Sequence, residues 1–346
     1  MKFSVGYKFF DENDEPFAEF LCKNAEHIDE VYFPWLDAET CRTSIVNERG
    51  TVNWSAQAFL ENDLAMLKHH GIMLNLLLNA NCYGERAVSK YLSNYICSII
   101  EHIEEVAGSL DVVTTTSPFI AKVIKDYFPK IKTRASVNMR IGDIKGMQYM
   151  AELFDGFYIQ RDFNRDLEHV QKIKKWATAN GKTLHILVNS GCMEFCSGQT
   201  FHDNTVAHKR GINEIQNVDG FKSSICWDYY AKKGNWVSLL QNTWVRPEDL
   251  YHYEKLFDTV KLATRSTLRP KTVINAYIRG SYTGNLLDLF EPNHTKLLNN
   301  HYINNKKFPS GWFEKTSSCD GQCHHCNYCS QVLQQVITEI GEVTSY

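Results

Sequence analysis

The stretch Asp111-Val-Val-Thr-Thr-Thr116, followed at once by Ser117-Pro118, contains a junction that is decisive for the fold. Its apolar and β-branched residues favour a short buried strand. Ser117-Pro118 then opens a helix, with Pro118 at the first helical position, where the N–H that proline lacks is not needed. The sequence therefore predicts a strand that passes directly into a helix.

The same alternation extends in both directions from this junction, up to Arg265. Strands are predicted over Lys2–Tyr7, Asp29–Phe33, Met73–Leu78, Asp111–Thr116, Thr133–Asn138, Gly156–Gln160, Thr183–Asn189 and Thr259–Thr264. The segments between them mostly have helical periodicity. Eight short apolar strands separated by helices predict an α/β protein with a (β/α)8, TIM-like barrel. An open doubly wound sheet is the alternative, but no Gly-rich phosphate loop follows the first strand.

The alternation breaks at about Glu291. We expect residues 1–290 to form the barrel and residues 291–346 to form a cysteine-rich C-terminal extension. The net charge of −3 gives no basic footprint for nucleic acid, which is therefore not favoured as a partner. No secretory leader and no apolar run long enough to cross a membrane are evident, so we expect a cytoplasmic protein without a membrane partner.

Polar residues follow most of the predicted strands, at the end of a barrel where active sites are built. Amides and arginines there suit a small oxygenated or acidic ligand. The candidate substrate-binding residues are Asn79, Asn138, Gln160, Arg161, Asn189 and Arg265. Asp37 and Glu39, after the second strand, are candidate acid–base groups, and Lys261 in the eighth strand is a further candidate for catalysis or for binding an acidic group.

Eleven cysteines in a chain without a leader favour metal binding over disulfides. Cys192-x₃-Cys196 comes directly after the seventh strand, and two thiolates this close can hold one metal centre. Cys226 and Cys41 are expected to complete a four-cysteine set, with His202 and His208 as the nearest replacements. Cys22 and Cys97 lie on predicted helices and are expected to be inert thiols, and Cys82 is left open.

The C-terminal segment has the pattern C-x₃-C-x₂-C-x₂-C, formed by Cys319, Cys323, Cys326 and Cys329. Such dense spacing predicts a metal centre. Zinc sites usually have two cysteine pairs separated by a longer spacer, whereas nearly continuous runs occur in ferredoxins. A second iron–sulfur cluster is therefore favoured, with zinc as the alternative. Radical S-adenosylmethionine enzymes share part of this spacing, but they carry it after an early strand.

Three stretches resemble the collagenase-like peptidase family, peptidase U32. The first is Glu30-Val-Tyr-Phe33 with Glu39-Thr-Cys-Arg42, and the second is Val188-Asn-Ser-Gly-Cys192 followed by Cys196 and His202. The third is Trp244-Val-Arg-Pro-Glu-Asp-Leu250 with Asp258-Thr-Val-Lys-Leu-Ala-Thr-Arg265, which has the form D-x-hydrophobic-K-hydrophobic-x-x-R. The match covers roughly residues 1–279.

This resemblance implies a barrel-like fold and a four-cysteine [4Fe–4S] cluster. Characterised members modify RNA bases or act in ubiquinone synthesis without oxygen. The chain departs from the family in two ways, since its cysteine spacing maps only at Cys192 and Cys196 and its cysteine-rich tail is extra. The resemblance implies an iron–sulfur enzyme that acts by redox or oxygen-independent hydroxylation chemistry.

We expect the substrate to be a small molecule or a peptide, and a partner subunit or electron donor is a further expectation. Two other classes of function stay open. One is a hydrolase, as the family name suggests, although no Ser–His–Asp order or H-E-x-x-H helix supports it. The other is a non-catalytic electron carrier or scaffold, which would not need the polar strand ends.

Overall fold

The computed structural model describes residues 1–9, 15–35, 38 and 54–340. Each predicted strand is present, although several are shorter than predicted. The strands are β1 Lys2–Gly6, β2 Ile28–Pro34, β3 Met73–Leu78, β4 Val112–Thr115, β5 Lys132–Ala135, β6 Gly156–Tyr158, β7 Thr183–His185 and β8 Thr259–Leu262. The fifth strand ends early because a 3₁₀ turn over Val137–Met139 follows it.

These strands form one parallel sheet in the order β7-β6-β5-β4-β3-β2-β1-β8. The sheet closes where the chain after β7 pairs with β8 through a parallel bridge between Leu187 and Lys261. The Lys261 N–H donates to the Ile186 carbonyl at 2.9 Å, and the Val188 N–H donates to the Lys261 carbonyl at 3.1 Å. The predicted (β/α)8 barrel is therefore confirmed, and the open sheet is not formed.

Helices connect the strands and cover the outside of the barrel. They are α1 Phe17–Lys23, α2 Trp54–His69, α3 Lys90–Ala107, α4 Pro118–Tyr127, α5 Ile144–Tyr149, α6 Leu167–Ala179, α7 Gln199–Ala207, α8 Lys209–Asn213, α9 Ile225–Tyr230 and α10 Pro270–Arg279. Helix α4 begins as predicted, with Pro118 at its first position and the Ser117 hydroxyl accepting the Ile120 N–H. Helix α3 begins at Lys90 because the Ser89 side chain provides its N-cap by accepting the Leu92 N–H.

Side chains alternate strictly along the strands, as in any pleated sheet. The outward-facing residues, such as Val31, Phe33, Leu74 and Leu76, are buried in the main apolar core with the helices. Burial of this apolar surface stabilises the barrel. The side chains that face the barrel interior include many polar ones, and these form the candidate functional site.

The chain beyond α10 packs back onto the barrel. It contains β9 His301–Ile303, α11 Trp312–Ser317, α12 Tyr328–Val336 and β10 Ile337–Glu339, with β9 and β10 antiparallel. Trp312 and Val336 are buried in the same core as the barrel helices. The domain boundary at residue 290 stays a prediction. Among the described helices, none combines the length and the apolar character needed to cross a membrane.

Candidate functional site

The interior of the barrel is polar. Each strand contributes at least one polar side chain to it, and these include Ser4, Glu30, Asn75, Thr114, Arg134, Tyr158, His185 and Lys261. All of these are buried except His185, which is partly buried. Barrel interiors are usually filled by layers of branched apolar side chains. A buried layer of polar groups is costly, so it marks this interior as a candidate functional site.

Glu30 and Arg134 form a buried ion pair at the centre of this layer. Both carboxylate oxygens accept from Arg134 Nη1, at 2.9 and 2.8 Å, and Oε1 also accepts from Ser4 Oγ and Asn75 Nδ2. Burial alone would raise the pKa of Glu30, but Arg134 and these hydrogen bonds outweigh it and hold the pKa below its usual range. Glu30 is therefore a charged, fully partnered carboxylate.

Two atoms of the layer have no partner. Asn75 Oδ1 and Thr114 Oγ1 are buried and make no hydrogen bond within the described part of the chain. Buried polar atoms are nearly always satisfied by protein or by water. These two acceptors therefore indicate that a water molecule or a polar ligand atom belongs in the barrel interior.

Lys261 lies between two tyrosine rings in the same interior. Its ammonium nitrogen is 3.8 Å from the centroid of the Tyr32 ring and 4.8 Å from that of Tyr158. Burial, together with the positive charge of Arg265, lowers the pKa of Lys261 to about 7, and Glu30 only partly opposes this. An amine with a pKa near neutrality can both accept and donate a proton at physiological pH.

The cysteine loop after β7 lies at the C-terminal end of the barrel. Gly191 precedes it, and a side chain at this position would collide with the Pro292 carbonyl oxygen. The Gly191 N–H also donates to the Glu291 carbonyl at 3.0 Å. Glycine is therefore required here, because the backbone of the loop runs against the chain that follows α10.

Cys226 lies beside the Cys192-x₃-Cys196 loop at this end of the barrel, because the side chain of Ile225, its neighbour in sequence, packs against Gly198. Burial raises the pKa of Cys226 to about 11, and Cys192 and Cys196 raise it further. Arg161, from the turn after β6, donates to the Cys192 sulfur at 3.5 Å. Cys41, the predicted fourth ligand, lies outside the described residues, as do the predicted acid–base groups Asp37 and Glu39.

The metal-binding predictions remain untested by this geometry. Within the described ranges, no group of three or more His, Cys, Asp and Glu side chains stands in an arrangement ready to hold a metal ion. In the tail, Cys319, Cys323 and Cys326 are exposed and Cys329 is partly buried. The metal-binding roles of both cysteine groups therefore stay predictions at this point.

The predicted substrate-binding amides have different surroundings. Asn189 is fully buried, and its side chain donates to the Ala263 and Leu289 carbonyls and accepts the Ala263 N–H at 2.6 Å. It therefore joins the chain after β7 to the chain after β8, and substrate binding by Asn189 stays a prediction. Gln160 donates to Asp162 at 2.7 Å, so its amide orients a neighbouring side chain.

Asn79 and Asn138 lie beside each other at the ends of β3 and β5. Asn138 Nδ2 donates to the Asn79 carbonyl at 3.5 Å, and the Asn138 carbonyl accepts from Asn81. Arg265 extends along the face of Tyr32, with its guanidinium carbon 5.6 Å from the ring centroid. Substrate binding by Asn79, Asn138 and Arg265 stays a prediction, and all three lie near the barrel mouth.

The Glu30–Arg134 pair and the two tyrosines beside Lys261 are not among the residues predicted from the sequence. Most predicted residues lie at the ends of strands, whereas Glu30 and Arg134 lie within β2 and β5. A signal was available, because charged residues rarely occur inside buried parallel strands, which are usually nearly continuous apolar runs.

Comparison with known proteins shows similarity to a curated relative and to a solved structure. Over 274 residues the chain is 25% identical to the uncharacterized protease MJ1657 of Methanocaldococcus jannaschii. This match covers 78% of this chain and 79% of that protein. It matches the structure of the U32 peptidase Mk0906 with a TM-score of 0.53 at 15% identity, over 76% of this chain and 92% of that one. No family model matches the chain. These similarities agree with the resemblance to the U32 family that the sequence motifs carry.

Proposed function

We propose that this protein of the U32 type is an iron–sulfur enzyme that modifies a small molecule or a peptide by redox or oxygen-independent hydroxylation chemistry. The observation that carries the proposal is the position of Cys226 beside the Cys192-x₃-Cys196 loop, at the C-terminal end of the barrel. This is the end at which barrel enzymes place their active sites. A polar interior with an amine of near-neutral pKa lies in the same barrel.

The donor set fits an iron–sulfur cluster. Cys226 adjoins the loop that carries Cys192 and Cys196, and the N–H of Arg161 on the Cys192 sulfur is the kind of outer-shell hydrogen bond that tunes such centres. Burial raises the pKa of Cys196 and Cys226 in the metal-free chain, but a coordinated thiol is deprotonated by the metal itself. We propose Cys41 as the fourth ligand.

A bound [4Fe–4S] cluster would supply one-electron transfer or a Lewis-acidic iron at the barrel mouth. The chain's own residues would do the rest. Lys261 would hold or release a proton at its Nζ atom, and Arg265 would bind an acidic group of the substrate. Asp37 and Glu39 are proposed as further acid–base groups. The Glu30–Arg134 pair would keep the interior rigid and charge-balanced beneath the reacting groups.

The test is iron and sulfide analysis of protein purified without oxygen, comparing the wild type with Cys192→Ser. We expect the wild type to contain iron and acid-labile sulfide, and the variant to lose about four of each per chain, as for one [4Fe–4S] cluster. Cys97→Ser is the matched control, because Cys97 is a partly buried thiol on α3 that belongs to neither cysteine group. Unchanged iron and sulfide in Cys192→Ser would refute the proposed cluster.

Peptide hydrolysis is the second candidate, because both similar proteins are named as a protease or a peptidase. A cysteine nucleophile would need a lowered pKa. Burial instead raises the pKa of Cys196 and Cys226, which counts against this role. The discriminating measurement is hydrolysis of a fluorogenic peptide library by wild type and by Cys192→Ser. If iron-free Cys192→Ser cleaves peptides as fast as the wild type, hydrolysis replaces the iron–sulfur function.

A further inference from the structure

The cysteine-rich segment of the tail is a loop whose two ends are held together. It runs from the end of α11 to the start of α12. The Trp312 ring of α11 stacks on the Tyr328 ring of α12, with centroids 6.0 Å apart and an interplanar angle of 18°. Trp312 is itself buried and stacks on Trp244 of the barrel body. The entropy of closing this loop is therefore lost on folding, before any metal binds.

The backbone of the loop is already turned around one of its sulfur atoms. Gly321 has a φ of 74° and donates its N–H to the Cys319 sulfur at 3.4 Å. The Cys323 N–H donates to the Gly321 carbonyl at 2.8 Å, which continues the turn. At the other end, Cys329 lies in the first turn of α12.

The four thiols lie within one short segment. Cys319, Cys323, Cys326 and Cys329 fall within eleven residues, between the end of α11 and the first turn of α12. Three of them are exposed and Cys329 is partly buried, so a metal centre can draw the sulfur atoms together without disturbing the core.

The loop also lies beside the barrel-mouth cysteines. Arg165 stacks over Trp312 at 5.7 Å from its ring centroid, and it donates to the Asn242 carbonyl. Asn242 Nδ2 in turn donates to the Gly191 carbonyl at 3.3 Å, next to Cys192. Arg165 is therefore a fixed cation between the barrel-mouth loop and the tail.

We propose that Cys319, Cys323, Cys326 and Cys329 bind a second iron–sulfur cluster, separate from the proposed barrel-mouth cluster and next to it. As they stand, the described side chains form no ready metal cage, so we expect binding to gather the four sulfur atoms. Iron–sulfur is favoured over zinc because the four cysteines form a nearly continuous run without the long spacer that separates the two pairs of a zinc site. Arg165 would offset part of the negative charge that the thiolates bring.

The test compares wild type, Cys326→Ser, Cys192→Ser and the control Cys97→Ser, all purified without oxygen. Cys326 is chosen because it is exposed, so its substitution removes a ligand without disturbing the core. We expect about eight irons and eight sulfides per chain in the wild type, and about four of each in Cys326→Ser and in Cys192→Ser. Circular dichroism checks that each variant is folded.

The outcomes separate this inference from the proposed function. Full iron and sulfide in Cys326→Ser would overturn the second cluster and leave the first intact. Loss of one zinc from Cys326→Ser, with iron unchanged, would show a zinc site and overturn the iron–sulfur assignment. Iron that is lost from Cys326→Ser but retained in Cys192→Ser would support the tail cluster and refute the one at the barrel mouth.

Discussion

Replacing Glu30 by glutamine tests whether the polar interior depends on its ion pair. Glu30 is 1% exposed and Arg134 is 8% exposed, so neither charge is screened by bulk water. Glutamine can keep its oxygen at the Oε1 position and so retain the bonds from Ser4 and Asn75. Its amide nitrogen would then face the Arg134 guanidinium, which loses its 2.8 Å bond to Oε2. The change thus removes the ion pair and little else.

The expected loss of stability is large. Removing one partner of a buried ion pair leaves the other charge uncompensated and costs about 3 to 5 kcal/mol. Because domains are stable by only about 5 to 15 kcal/mol, this loss shifts the urea midpoint strongly. Urea unfolding, followed by circular dichroism on protein of known iron content, measures it. Asp126→Asn is the control, since the exposed Lys122–Asp126 pair should contribute less than about 1 kcal/mol.

A double-mutant cycle with Arg134→Met completes the test. If the two side chains act as a pair, the double variant should lose less stability than the sum of the single losses, by at least about 1.5 kcal/mol. A loss of less than about 1 kcal/mol in Glu30→Gln would refute the reasoning, because a charge at Arg134 cannot stay buried and unpaired at so small a cost. Purely additive losses would show that the network and not the pair holds these side chains.

Two further predictions concern stability. Since the pKa of Lys261 is lowered to about 7, the unfolded chain binds a proton that the folded chain lacks between pH 7 and 8.5. The free energy of unfolding should therefore rise with pH over this range, by up to about 1.4 kcal/mol per pH unit. Lys261→Met should remove this slope in urea titrations at several pH values, and an unchanged slope would assign it to other groups. Asn189→Leu should cost at least about 2 kcal/mol of unfolding free energy, because it leaves the Ala263 and Leu289 backbone groups buried without partners. A near-neutral result would show that those groups find water.

The barrel could be predicted from the sequence because its strands and helices carry local signals. The apolar run Met73–Leu78 is a strand over the residues predicted for it. Ser117-Pro118 begins a helix because a capping hydroxyl and a proline at the first position act within one turn. Eight such units in succession have few ways to bury their apolar faces, and the closed barrel is one of them.

The polar interior could not be predicted in the same way. Glu30 and Arg134 are 104 residues apart, and they meet only because the register places Ser4 beside Glu30 and Thr114 beside Arg134. A shift of one residue would turn these side chains to the other face of the sheet. The register of the strands is set by the closure of the whole barrel, so no local sequence pattern predicts it.

The position of the tail beside the cysteine loop has a similar origin. The spacing of the four tail cysteines is a local pattern and was recognised as a metal motif. Their position depends on the stacking of Trp312 between Trp244 and Tyr328, contacts that join distant parts of the chain. The sequence therefore predicts the segment as an extension with its own metal chemistry, but it does not predict that the segment lies near Cys192 and Cys196.

The charge balance of the interior bears on how Lys261 would act. The charges of Glu30 and Arg134 cancel each other. The other two described residues that shift the pKa of Lys261 are Arg265, which is positive, and Glu291, which is negative. Two cations, Lys261 and Arg265, therefore face one carboxylate. Glu291 is already engaged by the Ser266 N–H and hydroxyl. An acidic substrate bound beside Lys261 would raise its pKa above 7 and keep the amine protonated. Lys261 would then donate a proton or hold the substrate as a cation, and it would act as a base only toward a neutral substrate.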